Sequence, residues 1–117
     1  MTLEIYGYAG CSTVKKARDW ADANDLNPVY AHFSAVPDLV RRIAGWAASA
    51  GIDAVFNDRS QTFRNLASGE QAAIAASDAT KIAAMAADPR LIKRPVGVNG
   101  ATVLTGFRQS EWEAAFA

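Results

Sequence analysis

The chain predicts an α/β fold in which a mixed sheet is flanked by helices, with a helical insertion between a β-α-β half and a β-β-α half. Three observations predict it. The hydrophobic period is two over residues 2–7 and changes to 3.6 after Cys11, which reads as strand, loop and helix. Ala-rich helical patterns fill the middle of the chain. Asn99-Gly100, a dipeptide favoured in type I′ hairpin turns, then separates two strand-type runs near the end. With 117 residues and 50% hydrophobic content, the chain can build one core but not two. Residues 1–117 therefore read as one domain, with the insertion at about 60–88.

Taken in order, Leu3, Ile5 and Gly7 alternate with Glu4 and Tyr6 as a first strand, a pattern that a strand buried on both faces also tolerates. Val14, Ala17, Trp20 and Ala21 then form the apolar stripe of a first helix, stopped by Asn24-Asp25 and Pro28. Val29–Phe33 is a second strand, near enough in sequence to lie parallel to the first through a right-handed crossover. His32 reads as a structural residue of that strand. Pro37 is suited to the first turn of a second helix, with Asp38 complementing its dipole, Leu39, Ile43, Trp46, Ala47 and Ala50 on one face, and Gly51 at its end. A short turn or helix follows over Ser60–Leu66. Ser68-Gly69-Glu70-Gln71 is a capping-box pattern opening an Ala-rich helix, and Ser77–Ala87 is another. Asp88-Pro89 breaks the helical block. Leu91–Val98 and Ala101–Thr105 read as the strands of the hairpin, and Ser110-Glu111-Trp112-Glu113 as the capping box of a last helix burying Trp112, Ala115 and Phe116.

Twelve basic and twelve acidic residues cancel, so no global charge draws the chain to nucleic acid or to an anionic membrane surface, and any anion site must be local. No apolar run is long enough to cross a bilayer and no leader pattern opens the chain, so the expected location is the cytoplasm. A single cysteine excludes an internal disulfide, and a single histidine makes a Cys/His metal site implausible.

That cysteine is the candidate nucleophile. A lone cysteine is ordinarily a small buried hydrophobe. Cys11, however, stands where a helix begins, facing unpaired N–H groups and the positive end of the helix dipole, both of which favour the thiolate. Gly7 and Gly10 bracket its turn.

Tyr6-Gly7 with Cys11-Ser12-Thr13-Val14-Lys15-Lys16-Ala17-Arg18-Asp19-Trp20, Ile92-Lys93-Arg94-Pro95 and Gly106-Phe107 span nearly the whole chain in a telling order. Together with the element order, they resemble the thioredoxin-like fold and, within it, the arsenate reductase (ArsC) and Spx family, most closely its short YffB-like branch. The resemblance implies a cis Arg94–Pro95 bond beside the thiol, Cys11 as catalytic nucleophile, and Arg59, Arg94 and Arg108 as arginines that bind an oxyanion or carboxylate. Forked guanidinium donors suit such anions, and Arg94 with Lys15 would help to keep Cys11 ionised. Arg64 reads as a solvated helix residue.

The function implied is a thiol-dependent oxidoreductase, specifically a glutathione-dependent thiol/disulfide reductase with one nucleophilic cysteine and no bound cofactor. Glutathione or another small thiol would resolve the intermediate, with glutaredoxin as a further partner. An arsenate reductase is one alternative; a non-catalytic Spx-like regulator docking on RNA polymerase is another. Arsenate reductases carry a His-Asn-Pro type sequence where this chain has Gly7, Tyr8, Ala9 and Gly10, and the chain stops soon after Trp112. Weak or absent arsenate reduction is therefore expected. Val14 stands where many Spx-type regulators place the second cysteine of a Cys-x-x-Cys switch, which disfavours a redox-switched regulator.

Overall fold

In the computed structural model, which describes residues 2–117, the sheet is built on β1 (Glu4–Gly7). β2 (Val29–His32) pairs parallel with β1 on one side and β3 (Val96–Asn99) antiparallel on the other; β4 (Thr102–Thr105) pairs antiparallel with β3, giving the order β2-β1-β3-β4. This sheet, with α1 (Ser12–Ala23) and α7 (Gln109–Phe116), forms one compact unit from the chain through Val36 and Arg94–Ala117. A second unit, Pro37–Lys93, holds α2 (Leu39–Ala50), α3 (Ile52–Val55), α4 (Gln61–Arg64), α5 (Ser68–Ala75) and α6 (Asp78–Ala87). The helical unit thus starts at Pro37 and takes in α2 as well as the 60–88 segment.

In the sheet unit, Leu3 and Ile5 meet Ala17, Trp20 and Ala21 of α1 and Trp112 and Phe116 of α7 in one buried cluster. Removing such side chains from water is the main force holding helices to the sheet. Ala115 is exposed and takes no part. Tyr6 is buried too, its hydroxyl donating to Glu4 Oε1 at 3.0 Å, so β1 is covered on both faces. Two glycines are needed for close approach. A Cβ on Gly97 would lie 2.6 Å from the Trp112 ring, and one on Gly7 would lie 2.6 Å from Val14 Cγ2. The bare backbone of Gly7 therefore lets the first turn of α1, and Cys11 with it, sit close against β1. The turn itself is made by Gly10, at φ 79°.

The hairpin differs from expectation by one residue. Asn99 pairs with Thr102 inside the ladder, so the loop is Gly100-Ala101, with Gly100 at φ 60° and Ala101 without positive φ. That is the Gly-first pattern of a II′ turn in place of type I′. β3 begins only at Val96, because Pro89–Leu91 forms a 3₁₀ turn, Ile92 makes an isolated bridge to Phe56, and Pro95 has no N–H for a ladder.

Helix starts also depart from the capping patterns. Asp38 takes a left-handed conformation at φ 51° and makes no capping bond, so α2 starts at Leu39 with Pro37 outside it. Ala67, not Ser68, precedes α5, and Gln71 Nε2 instead donates back to Phe63 O at 3.0 Å and Leu66 O at 3.1 Å. The complete capping box is at Ser77 and Thr80. Arg108 caps α7, whose first turn is fixed ahead of Ser110 by the Trp112 amide bond to Arg108 O and the Trp112 indole bond to Gly106 O.

In the helical unit, Ile43, Trp46, Val55, Phe56, Phe63, Met85, Leu91 and Ile92 are all buried. Phe56 and Phe63 meet edge to face at 5.4 Å. Backbone bonds from Asn57 N to Leu91 O and from Lys93 N to Val55 O tie the unit's last segment to its middle. Among the described residues, no helix is long and apolar enough to cross a membrane.

Candidate active site

Cys11 is the N-cap of α1, in extended conformation at φ −81° and ψ 119°, and is partly exposed. An N-cap side chain faces the helix's unsatisfied N–H groups. The geometry stops short of a formed capping hydrogen bond, yet the amides still act on the sulfur. Burial pushes the thiol up, but it is outweighed by the Val14 N–H, the Arg94 guanidinium and the Thr13 N–H, so that Cys11 lies below its ordinary value. Each of these groups stabilises the thiolate and not the neutral thiol.

Arg94 reaches the thiol from the segment preceding β3. The Arg94–Pro95 bond is cis, Pro95 is fully buried, and Pro95 O accepts from Gly106 N at 2.9 Å. The Arg94 Cζ atom lies 5.0 Å from the centre of the Tyr8 ring. Its Nε is buried with no hydrogen-bond partner among the described residues. A buried donor left unsatisfied costs about 1–3 kcal/mol, so an anion arriving at Arg94 would be rewarded at once.

Around the sulfur is a cleft of about 580 Å³ lined by Tyr8–Ser12 and, along α1, by Val14, Lys15, Arg18, Asp19 and Asp22. Lys15 lines it, but its ammonium is committed to Asp19 Oδ2 at 2.6 Å. Arg18 is held over the Tyr30 ring at 4.0 Å. Arg108, 80% exposed, sits at the start of α7 with a loose 3.8 Å contact to Glu111. Arg59 belongs to the helical unit and lines a different cleft with Asp53, Asp58, Lys81 and Lys93. Of the cations singled out in the sequence, the structure therefore brings Arg94 onto Cys11, while Lys15 and Arg108 face carboxylates.

His32 has the structural task expected of it, its Nδ1 accepting from Ser34 N at 3.1 Å. Tyr8 is the residue that sequence reasoning passed over. An aromatic side chain three positions before the cysteine was the available signal, but its contact with Arg94 depends on the tertiary fold. Among the described residues, no group of three or more His, Cys, Asp or Glu is placed to hold a metal ion.

A parallel β-α-β half joined to an antiparallel hairpin half, with a thiol at the N-cap position of the first helix, puts the chain in the thioredoxin-like class. The ArsC family model matches residues 6–115, and the chain belongs to the ArsC family. An uncharacterized protein of Haemophilus influenzae is 35% identical over 116 residues, covering 98% of this chain and 99% of its relative. The fold is similar to that of the YFFB (PA3664) protein, with a TM-score of 0.89, 34% identity, and 99% of this chain and 100% of that one covered. It is also similar to an arsenate reductase (ArsC) related protein from Brucella melitensis, with a TM-score of 0.72, 26% identity, and coverages of 99% and 95%.

Proposed function

We propose that this thiol oxidoreductase family member is a glutathione-dependent thiol/disulfide reductase working through Cys11 alone. The observation that carries the reading is the pairing of a depressed thiol with Arg94, whose buried Nε lacks an acceptor. The thiolate attacks the glutathione sulfur of a mixed disulfide; the Cys11–glutathione S–S bond forms, the original S–S bond breaks, and the substrate thiolate leaves with the electron pair and takes a proton from water. A second glutathione thiolate attacks the glutathione sulfur bound to Cys11, releasing oxidised glutathione and restoring the Cys11 thiolate. Arg94 stabilises the sulfur of Cys11 both as nucleophile and as leaving group. Arg108 and Arg59 are proposed as further contacts for glutathione carboxylates, and Lys15 as a weaker one. Glutathione in this role fits a reducing compartment.

Arsenate is proposed to be a poor substrate, because Gly7–Gly10 supply only backbone and the Tyr8 ring before the thiol. Mass spectrometry after exposure to oxidised glutathione tests the reading. A single glutathione adduct on Cys11, formed about tenfold more slowly or worse in Arg94→Ala, is expected for loss of a charge-assisted contact. A protein that takes no adduct, or one that reduces arsenate efficiently with glutathione and glutaredoxin supplied, would overturn it.

A further inference from the structure

Tyr8 occupies the loop between β1 and Cys11, and contacts from other segments of the chain fix its ring. It meets the His32 ring at 5.2 Å and 73°, the Phe33 ring at 5.3 Å and 76°, and the Arg94 guanidinium at 5.0 Å. His32 is itself pinned, because its Nδ1 accepts from the Ser34 amide, and Phe33 is fully buried. The ring is thus braced from the end of β2 and also meets Arg94.

A guanidinium near an aromatic ring is attracted by the ring's quadrupole, and the attraction strengthens when the cation is withdrawn from water. Arg94 meets that condition at its Nε, which is buried. An arginine side chain has many rotamers, and the aromatic contact favours those that keep its charge beside the sulfur. We infer that Tyr8 is a positioning residue for the Cys11 nucleophile: its braced ring holds the Arg94 guanidinium in the orientation that serves the sulfur. The inference rests on the reading of Cys11 as a reactive thiolate and names what keeps that thiolate's counter-charge in place. The charged groups lining the cleft, Lys15, Arg18, Asp19 and Asp22, all lie on α1, and His32 is the titratable group that meets the Tyr8 ring from β2.

The test is the pH dependence of Cys11 alkylation by iodoacetamide across a series at position 8. Tyr8→Phe keeps the ring and should leave the midpoint where it is. Tyr8→Leu should raise it by about half a pH unit, the size that a partly buried cation–π contact supports. Fluorinated phenylalanines at position 8 keep the ring's shape while draining its quadrupole, so the midpoint should climb with each added fluorine even if Tyr8→Leu fails to fold. In an Arg94→Ala background the same series should be flat, because nothing remains for the ring to hold. The inference falls if Tyr8→Phe raises the midpoint as much as Tyr8→Leu, if fluorination has no effect, or if the series persists without Arg94. A wild-type midpoint at the free-cysteine value would instead defeat the thiolate reading itself, so the two failures are distinct.

Discussion

The cleft beside Cys11 and the cleft around Arg59 both present cations, but those cations have different partners. At the first, Arg94 acts on the thiol from outside the lining and lies against Tyr8, while Arg18 lies over Tyr30. In the second, Lys93 Nζ donates to Asp53 O at 2.8 Å, and Lys81 Nζ stands 3.9 Å from Asp53 Oδ1 and 5.8 Å from the Phe56 ring centre. Arg59 is held through its backbone, its N donating to Asn57 Oδ1 and its O accepting from Arg64 Nε, and its guanidinium has no partner among the described residues. The second cleft has three cations and no nucleophile. What sets the first cleft apart is a thiol at a helix start with a cation against it, the group that the proposed reaction needs.

The largest effect expected is from Cys11→Ser, which should abolish glutathione adduct formation and all disulfide exchange, as measured by mass spectrometry and a coupled reduction assay. Retained exchange would erase the distinction between the clefts. Arg94→Ala and Arg59→Ala should then differ: the first slows the adduct by about tenfold or more, whereas the second, removing only a proposed carboxylate contact, costs no more than about threefold. Equal losses would show that Arg94 has no special hold on the thiol. Arg108→Ala should resemble Arg59→Ala.

For stability, Gly97→Ala should cost about 1–3 kcal/mol in denaturant unfolding, since its Cβ would press into the Trp112 ring, and Gly7→Ala should cost a similar amount. Gly7→Ala also displaces Val14 and so should raise the Cys11 midpoint, which Gly97→Ala should leave alone. The smallest effect belongs to the helical unit. The Arg90 guanidinium, at 2.7 and 2.9 Å, holds Asp88 below the usual carboxylate range, outweighing a small rise from burial. A carboxylate depressed by folding contributes stability above its unfolded-state pKa of about 4 and loses it as pH falls through the lower folded value. Asp88→Asn should flatten only this acid limb of a pH–stability curve.

Much of the fold was legible because periodicity reports burial directly. Val14, Ala17, Trp20 and Ala21 form the buried stripe of α1, and Ile43 and Trp46 that of α2, as their spacing requires. Boundaries were less legible, because a capping pattern names candidates without choosing among them. Ser68 and Ser110 fit the pattern, but Gln71 found backbone acceptors in the preceding turn and the Trp112 indole fixed α7 from Arg108. The hairpin slid by one residue because either Asn99 or Gly100 could open the loop, and the ladder kept Asn99. The placement of Cys11 at a helix start was readable from local position, and that of Arg94 beside it from family resemblance. Lys15 faces Asp19 instead, four residues along its own helix, a pairing that helix geometry always offers. Tyr8 was not readable, because its partners come from the end of β2 and the start of β3, which only folding brings to the loop.

If Arg94 and the first turn of α1 keep Cys11 as a thiolate, the rate of Cys11 alkylation against pH, compared between the wild type and Arg94→Ala, registers both contributions. The wild-type midpoint should fall below the free-cysteine value of about 8.5 and move upward in Arg94→Ala. A wild-type midpoint at or above that value, or one that Arg94→Ala leaves unmoved, would show that these groups do not hold the thiol ionised.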